Sequence, residues 1–182
     1  MTHRRVVLVG GGARSGKSRY ALARATDLGR RRLFVATAEP LDDEMGARIS
    51  RHRAERGDAF LTLEEPVALA ETIARVRDQD VVLVDCLTLW ISNLLVRGLG
   101  VSDVDARVSE LVDVLRASPV HVVLVTNEVG MGLVPETALG RAFRDATGFA
   151  HQRLAGIAEE IYLAAMGVIL RLRPAPVDVV TA

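Results

Sequence analysis

Two stretches of this sequence combine residue types suited to chemistry on phosphate esters. The first, Gly11-Gly-Ala-Arg-Ser-Gly16-Lys17-Ser18, follows the pattern G-x-x-x-x-G-K-[ST] and stands between the apolar run Val6 to Val9 and a helical stretch starting at Ser18. In that setting glycines let backbone N–H groups turn inward onto phosphate oxygens, and the following helix adds the positive end of its dipole. Lys17 is placed to reach the β and γ phosphates and Ser18 to ligate Mg²⁺. Gly11, Gly12, Ala13, Arg14, Ser15, Gly16, Lys17 and Ser18 are therefore the expected contacts of ATP or GTP, with Lys17 in a catalytic role. Lys17 is the only lysine, every other basic residue apart from the histidines being arginine. A chance glycine-rich turn is the bland reading, and the strand-loop-helix context argues against it.

The second stretch sets His52 among Arg48, Arg51, Arg53 and Arg56, near the end of a helix whose start carries Asp42, Asp43 and Glu44. Two readings stay open on the residues alone. Arginine and histidine at a helix C-terminus are ordinary dipole partners on a solvated face. The same residues could clamp a polyphosphate, their field keeping the imidazole neutral and able to attack an α-phosphate to give a phosphoramidate. Asp85, at the end of the apolar run Val81 to Val84, stands where a carboxylate supports the Mg²⁺ shell of a P-loop protein, and it is also a natural cap for the helix beginning near Leu87. Both roles are compatible. His3, His121 and His151 read as structural or surface residues, and the spacing of Cys, His and carboxylates gives a zinc site no support.

These residues need a scaffold, and the hydrophobic pattern supplies one. Val6 to Val9, Leu33 to Ala36, Val81 to Val84 and Val120 to Val125 are nearly continuous apolar runs, the signature of strands buried on both faces of a parallel sheet. Helical periodicity marks Ser18 to Leu28, Asp43 to Glu55, Val67 to Val76, Leu87 to Val96, Val104 to Leu115 and Leu139 to Glu160, the last broken near Gly148. Ile161 to Ala165 and Val168 to Leu172 suggest a closing strand pair, with a loosely held tail after Pro174. The alternation predicts an α/β, three-layer architecture around a mostly parallel sheet, in one domain spanning residues 1–182.

Composition narrows the partners. With 23 basic and 23 acidic side chains the chain offers no global field for nucleic acid or a membrane surface, so a small-molecule substrate is expected. Cys86 stands alone, the start lacks a signal-peptide run, and no stretch approaches the ~20 apolar residues of a membrane span, which together point to the cytoplasm.

Several separated motifs, in order, resemble one family, the bifunctional adenosylcobinamide kinase/adenosylcobinamide-phosphate guanylyltransferases of cobalamin biosynthesis. They are the phosphate loop at 11–18, Ala-Thr-Ala at 36–38, Leu-Asp-Asp-Glu-Met at 41–45, Arg-Ile-x-x-His-Arg at 48–53, Thr-Asn-Glu-Val-Gly-Met-Gly-Leu-Val-Pro at 126–135, Phe143-Arg144-Asp145 and Gln-Arg-Leu-Ala at 152–155. The resemblance implies a RecA-like P-loop fold, often a homotrimer, that phosphorylates the aminopropanol hydroxyl of adenosylcobinamide and then transfers GMP from GTP to that phosphate. It implies a covalent GMP-histidine at His52, and nucleotide contacts at Gly11 to Ser18, Ala36, Thr37, Ala38, Arg53, Ala54, Glu55, Arg56, Glu64 and Asp85, with Ser18 and Asp85 toward Mg²⁺. Ala38 stands where some relatives have Ser, and Phe60 where many have Trp. The glycines of the Thr126 to Pro135 loop would let it move over a bulky corrinoid. Asp43, Asp85 and Glu128 are all candidates to activate the hydroxyl, without a choice among them. A simple P-loop metabolite kinase and a non-catalytic nucleotide switch are the alternative readings.

Overall fold

The structure is a computed structural model that describes residues 4–40, 46 and 57–180. The four apolar runs read from the sequence form its central strands: β1 (Val6–Gly11), β2 (Arg32–Ala36), β4 (Val81–Asp85) and β5 (His121–Asn127). Beside them stand β3 (Leu61–Glu64), β6 (Glu160–Ala165), β7 (Val168–Arg173) and β8 (Asp178–Val180), in the sheet order β3-β2-β4-β5-β1-β6-β7-β8. Strands β3 through β6 in that order run parallel, and β7 and β8 add an antiparallel margin.

Successive side chains of a strand point to opposite faces, and the core is divided accordingly. One face receives α1 (Lys17–Leu28), whose Tyr20, Ala21 and Ala25 pack with Val7, Val9, Leu83, Val123 and Val125. The other is covered by α2 (Leu69–Arg75), α3 (Leu87–Val96), α4 (Val101–Ala117) and α5 (Ala138–Ala155), which enclose Leu8, Val82, Val84, Val122 and Leu124. Trp90 of α3 is buried in that second layer with its indole N–H donating to the Val67 carbonyl at 2.8 Å, so its large apolar body carries no unsatisfied donor. Among the described residues no helix is long and apolar enough to cross a membrane.

Two expectations are corrected. The last helix is unbroken at Gly148 and ends at Ala155 rather than Glu160. A lone helical glycine costs only about 1 kcal/mol relative to alanine, which a packed helix tolerates. Its early end has an ionic cause: Glu159 accepts the Val6 N–H at 2.6 Å and Glu160 is gripped by Arg5 and Arg24, drawing this segment into β6. The tail after Pro174 is not loose throughout, since β8 pairs with β7 and Asp178 lies 3.5 Å from Arg171. Leu61–Glu64, to which the sequence assigned no element, is an edge strand beside β2. The expected helix Asp43 to Glu55 lies outside the described residues.

Candidate nucleotide site

The sheet register brings the separated motifs to one edge. Gly11 is level with Asn127 on β5 and with Ala164 on β6. One strand further over, Asp85 is level with Val125, and across β2 the row continues through Ala36 to Glu64. All of these stand at the carboxyl ends of parallel strands, where open α/β sheets bind ligands.

The phosphate loop has the backbone its glycines allow. Gly16 takes φ 95° immediately before α1, a left-handed conformation that carries no steric cost without a Cβ. At Gly11 a Cβ would stand 2.4 Å from the Ala164 carbonyl oxygen, so the close approach of β1 to β6 admits only glycine. Lys17 is 7% exposed and its Nζ donates to the Gly12 carbonyl at 3.1 Å, laying the ammonium across the loop. The Ser15 Oγ is buried without a hydrogen-bond partner among the described residues. A buried hydroxyl in the phosphate loop fits an anionic oxygen that the protein itself does not supply.

Asp85 is positioned from behind. It follows Val81 and Leu83 on the alternate positions of β4 and so belongs to the sheet face that carries α1. The charges of Asp85 and Lys17 both act on the thiol of Cys86, which burial pushes above its ordinary pKa. Thr37 fixes the chain here: its hydroxyl donates to the Cys86 carbonyl at 2.7 Å and accepts the Cys86 N–H at 2.8 Å, while its own N–H donates to the Asp85 carbonyl at 3.3 Å. Asn93 of α3 donates to the Thr37 carbonyl at 2.8 Å, and Asn127 to the Thr88 hydroxyl at 2.7 Å. The Thr37 side chain is thus fully buried in this clasp, and Ala36 and Ala38 flank it half-buried. Glu64 is exposed at the sheet margin; its neighbour Glu65 accepts the N–H groups of Val67 and Ala68 in the turn that leads into α2.

Mg²⁺ fits the donors present. Ser18 and Asp85 are half-buried side chains with hard oxygen donors of the kind Mg²⁺ takes. Of the residues expected at the site, His52, Arg53, Ala54, Glu55 and Arg56 lie outside the described residues.

One group at this edge was missed in the sequence. His151, read as structural or surface, projects from α5 with its Nε2 2.7 Å from Thr126 Oγ1 and its Nδ1 3.9 Å from Glu128 Oε2. Helical spacing held the signal: position 151 lies four residues beyond the buried Thr147 and three before the buried Leu154, on the inward stripe of α5.

With this geometry in view, comparison with known proteins decides the lineage. The family model for cobinamide kinase / cobinamide phosphate guanyltransferase matches residues 7–172. The chain belongs to this family. It is 41% identical over 181 residues to a bifunctional adenosylcobalamin biosynthesis protein of Escherichia coli K12, covering 92% of this chain and 99% of that protein. A bifunctional adenosylcobalamin biosynthesis protein of Pseudomonas aeruginosa is also 41% identical, over 170 residues, 93% of this chain and 98% of its own length. Among solved structures the RadB recombinase superposes with a TM-score of 0.53 at 15% identity, covering 96% of this chain and 86% of that one. This last likeness concerns the fold alone, which is that of a RecA-like recombinase.

Proposed function

We propose that this protein phosphorylates adenosylcobinamide with ATP or GTP and then transfers GMP from GTP onto adenosylcobinamide phosphate, yielding adenosyl-GDP-cobinamide and pyrophosphate. The observation that carries this reading is family membership over nearly the whole chain, joined to a complete phosphate loop at the carboxyl edge of the sheet.

In the kinase step the loop amides, the α1 dipole and Lys17 hold the triphosphate and offset the charge that spreads over the transferred γ-phosphoryl, while the acceptor hydroxyl attacks in line. Ser18 and Asp85 would hold Mg²⁺, which supplies further charge neutralisation at the phosphates. In the guanylyl step His52 attacks the α-phosphate of GTP, the P–N bond forms as the bond to pyrophosphate breaks, and the cobinamide phosphate then displaces the histidine. The Arg53 to Arg56 segment, Glu64 and the Ala36 to Ala38 turn contribute nucleotide contacts. The substrates are small molecules, the working assembly is a homotrimer, and the enzyme acts in the cytoplasm as one domain.

The test is direct. Purified protein is incubated with adenosylcobinamide, Mg²⁺ and ATP, then GTP is added, and the corrinoids are separated by chromatography and weighed by mass spectrometry. The expected result is one added phosphoryl group followed by one added GMP. Nucleotide binding with an unchanged corrinoid would favour the nucleotide switch instead.

A further inference from the structure

Glu128 is the first residue beyond β5, and its N–H donates to the Gly11 carbonyl at 3.1 Å, tying it to the residue that begins the phosphate loop. Its carboxylate is hydrogen-bonded through one oxygen and faces an imidazole with the other. Oε1 accepts the Gly130 N–H at 2.5 Å, and Oε2 faces His151 Nδ1 at 3.9 Å. The other nitrogen of that ring meets Thr126 Oγ1 at 2.7 Å. Burial lowers the His151 pKa against the opposing charge of Glu128, so the ring is neutral near neutral pH and carries one proton. The tautomer that suits both neighbours has Thr126 donating to Nε2 and Nδ1–H directed at the carboxylate. The opposite tautomer would aim a lone pair at an anion. Thr126, His151 and Glu128 thus form a line of fixed polarity ending at a carboxylate beside the phosphate loop.

Among the described residues Asp85, Glu64 and Glu160 have different engagements, and Asp43 lies outside them. Asp85 is level with Val125 and hence with Val9, two residues short of Gly11, where it suits the cation. Glu64 is separated from β1 by three strands. Glu160 begins β6, level with Val7 at the far end of β1, and is bound by two arginines.

We propose that Glu128 is the general base of the kinase step and that His151 is the positioning residue that fixes its carboxylate. The inference rests on the kinase half of the proposed function. As the acceptor oxygen bonds to the γ-phosphorus and the bond to the β–γ bridging oxygen breaks, the hydroxyl proton passes to Glu128 and the nucleoside diphosphate leaves. The proton returns to solvent after product release.

The experiment compares wild type with Glu128→Gln, His151→Ala and His151→Asn in two separate assays: phosphoryl transfer from ATP to adenosylcobinamide, and guanylyl transfer from GTP to supplied adenosylcobinamide phosphate. A general base contributes about 10²- to 10⁴-fold, and Glu128→Gln is expected to lower kinase kcat by that order with little change in KM for ATP, and to lower guanylyl transfer far less. His151→Ala should lower kinase kcat by roughly tenfold, and His151→Asn, which keeps an N–H near the place of Nδ1, should recover part of it. Unchanged kinase kcat in Glu128→Gln would overturn the assignment, as would parallel loss of both activities and of ATP binding, which would mark the carboxylate as structural. A wild type that binds ATP but phosphorylates no corrinoid would instead remove the parent reading.

Discussion

At the scale of single residues, the best-defined electrostatic feature is Glu160, at the far end of the sheet from the nucleotide site. Its Oε1 accepts from Arg5 at 2.7 Å and Arg24 at 2.6 Å, and its Oε2 from Arg24 Nε and the Tyr162 hydroxyl, both at 2.8 Å. Tyr162 in turn packs on Tyr20 with ring centroids 4.8 Å apart, so the cluster anchors α1, the helix that carries Lys17, to β1 and β6. Burial alone would raise the Glu160 pKa, but the hydrogen bonds and charges of Arg24, Tyr162 and Arg5 outweigh it and hold the carboxyl at about 2, below the ordinary 4.5. A carboxyl depressed in the folded state contributes stability that is present above its unfolded value and is lost as pH falls through the folded one. Stability should therefore decline between about pH 4.5 and 2, and Glu160→Gln should flatten that decline in urea titrations at each pH. At neutral pH Glu160→Ala leaves Arg24 poorly solvated and should cost about 3 kcal/mol. An unchanged unfolding midpoint would count against the anchor. None of this was legible in the sequence, because Arg5, Arg24 and Glu160 are brought together only by the parallel pairing of β1 with β6 and the packing of α1 on that face of the sheet. The phosphate loop was legible because all its parts are local: the strand, the glycines, Lys17 and the helix start are consecutive. His151 fell between these cases, its stripe position readable but its partners on β5 not.

At the scale of elements, the phosphate loop works because β1 approaches β6 closely at Gly11. Gly11→Ala would drive a methyl group into the Ala164 carbonyl, a backbone atom of a paired strand that has little room to yield. The expected outcome is a protein that still folds but binds ATP at least tenfold more weakly, about 1.4 kcal/mol, as read by calorimetric titration. Wild-type affinity would show that the loop adapts. The central strands were readable because burial on both faces makes them continuous apolar runs. The edge strands were harder. Leu61 and Leu63 are exposed on β3, and Pro174 and Pro176 precede β8, so their strand state comes from pairing with β2 and β7 rather than from local pattern. The end of α5 likewise follows from distant ionic partners and not from its own helical propensity.

At the scale of the whole molecule, a RecA-like sheet gathers motifs from positions 11 to 128 along one edge, and the antiparallel pair β7 and β8 closes the opposite margin. Deleting residues 175–182 removes β8 and leaves β7 as an open edge of alternating apolar residues, which should lower the thermal midpoint by several degrees and promote association at high concentration, measurable by calorimetry and light scattering. An unaltered midpoint would make β8 dispensable. In the proposed function one fold performs two phosphorus chemistries, the second through His52. The most direct measurement mixes the protein with Mg²⁺ and GTP labelled at the α-phosphorus, and compares wild type with His52→Ala for label bound to protein. Label that survives alkali, is lost in acid and is absent from the variant is the predicted result. Wild type that binds GTP and forms adenosyl-GDP-cobinamide without ever carrying label, or a variant labelled like wild type, would contradict it.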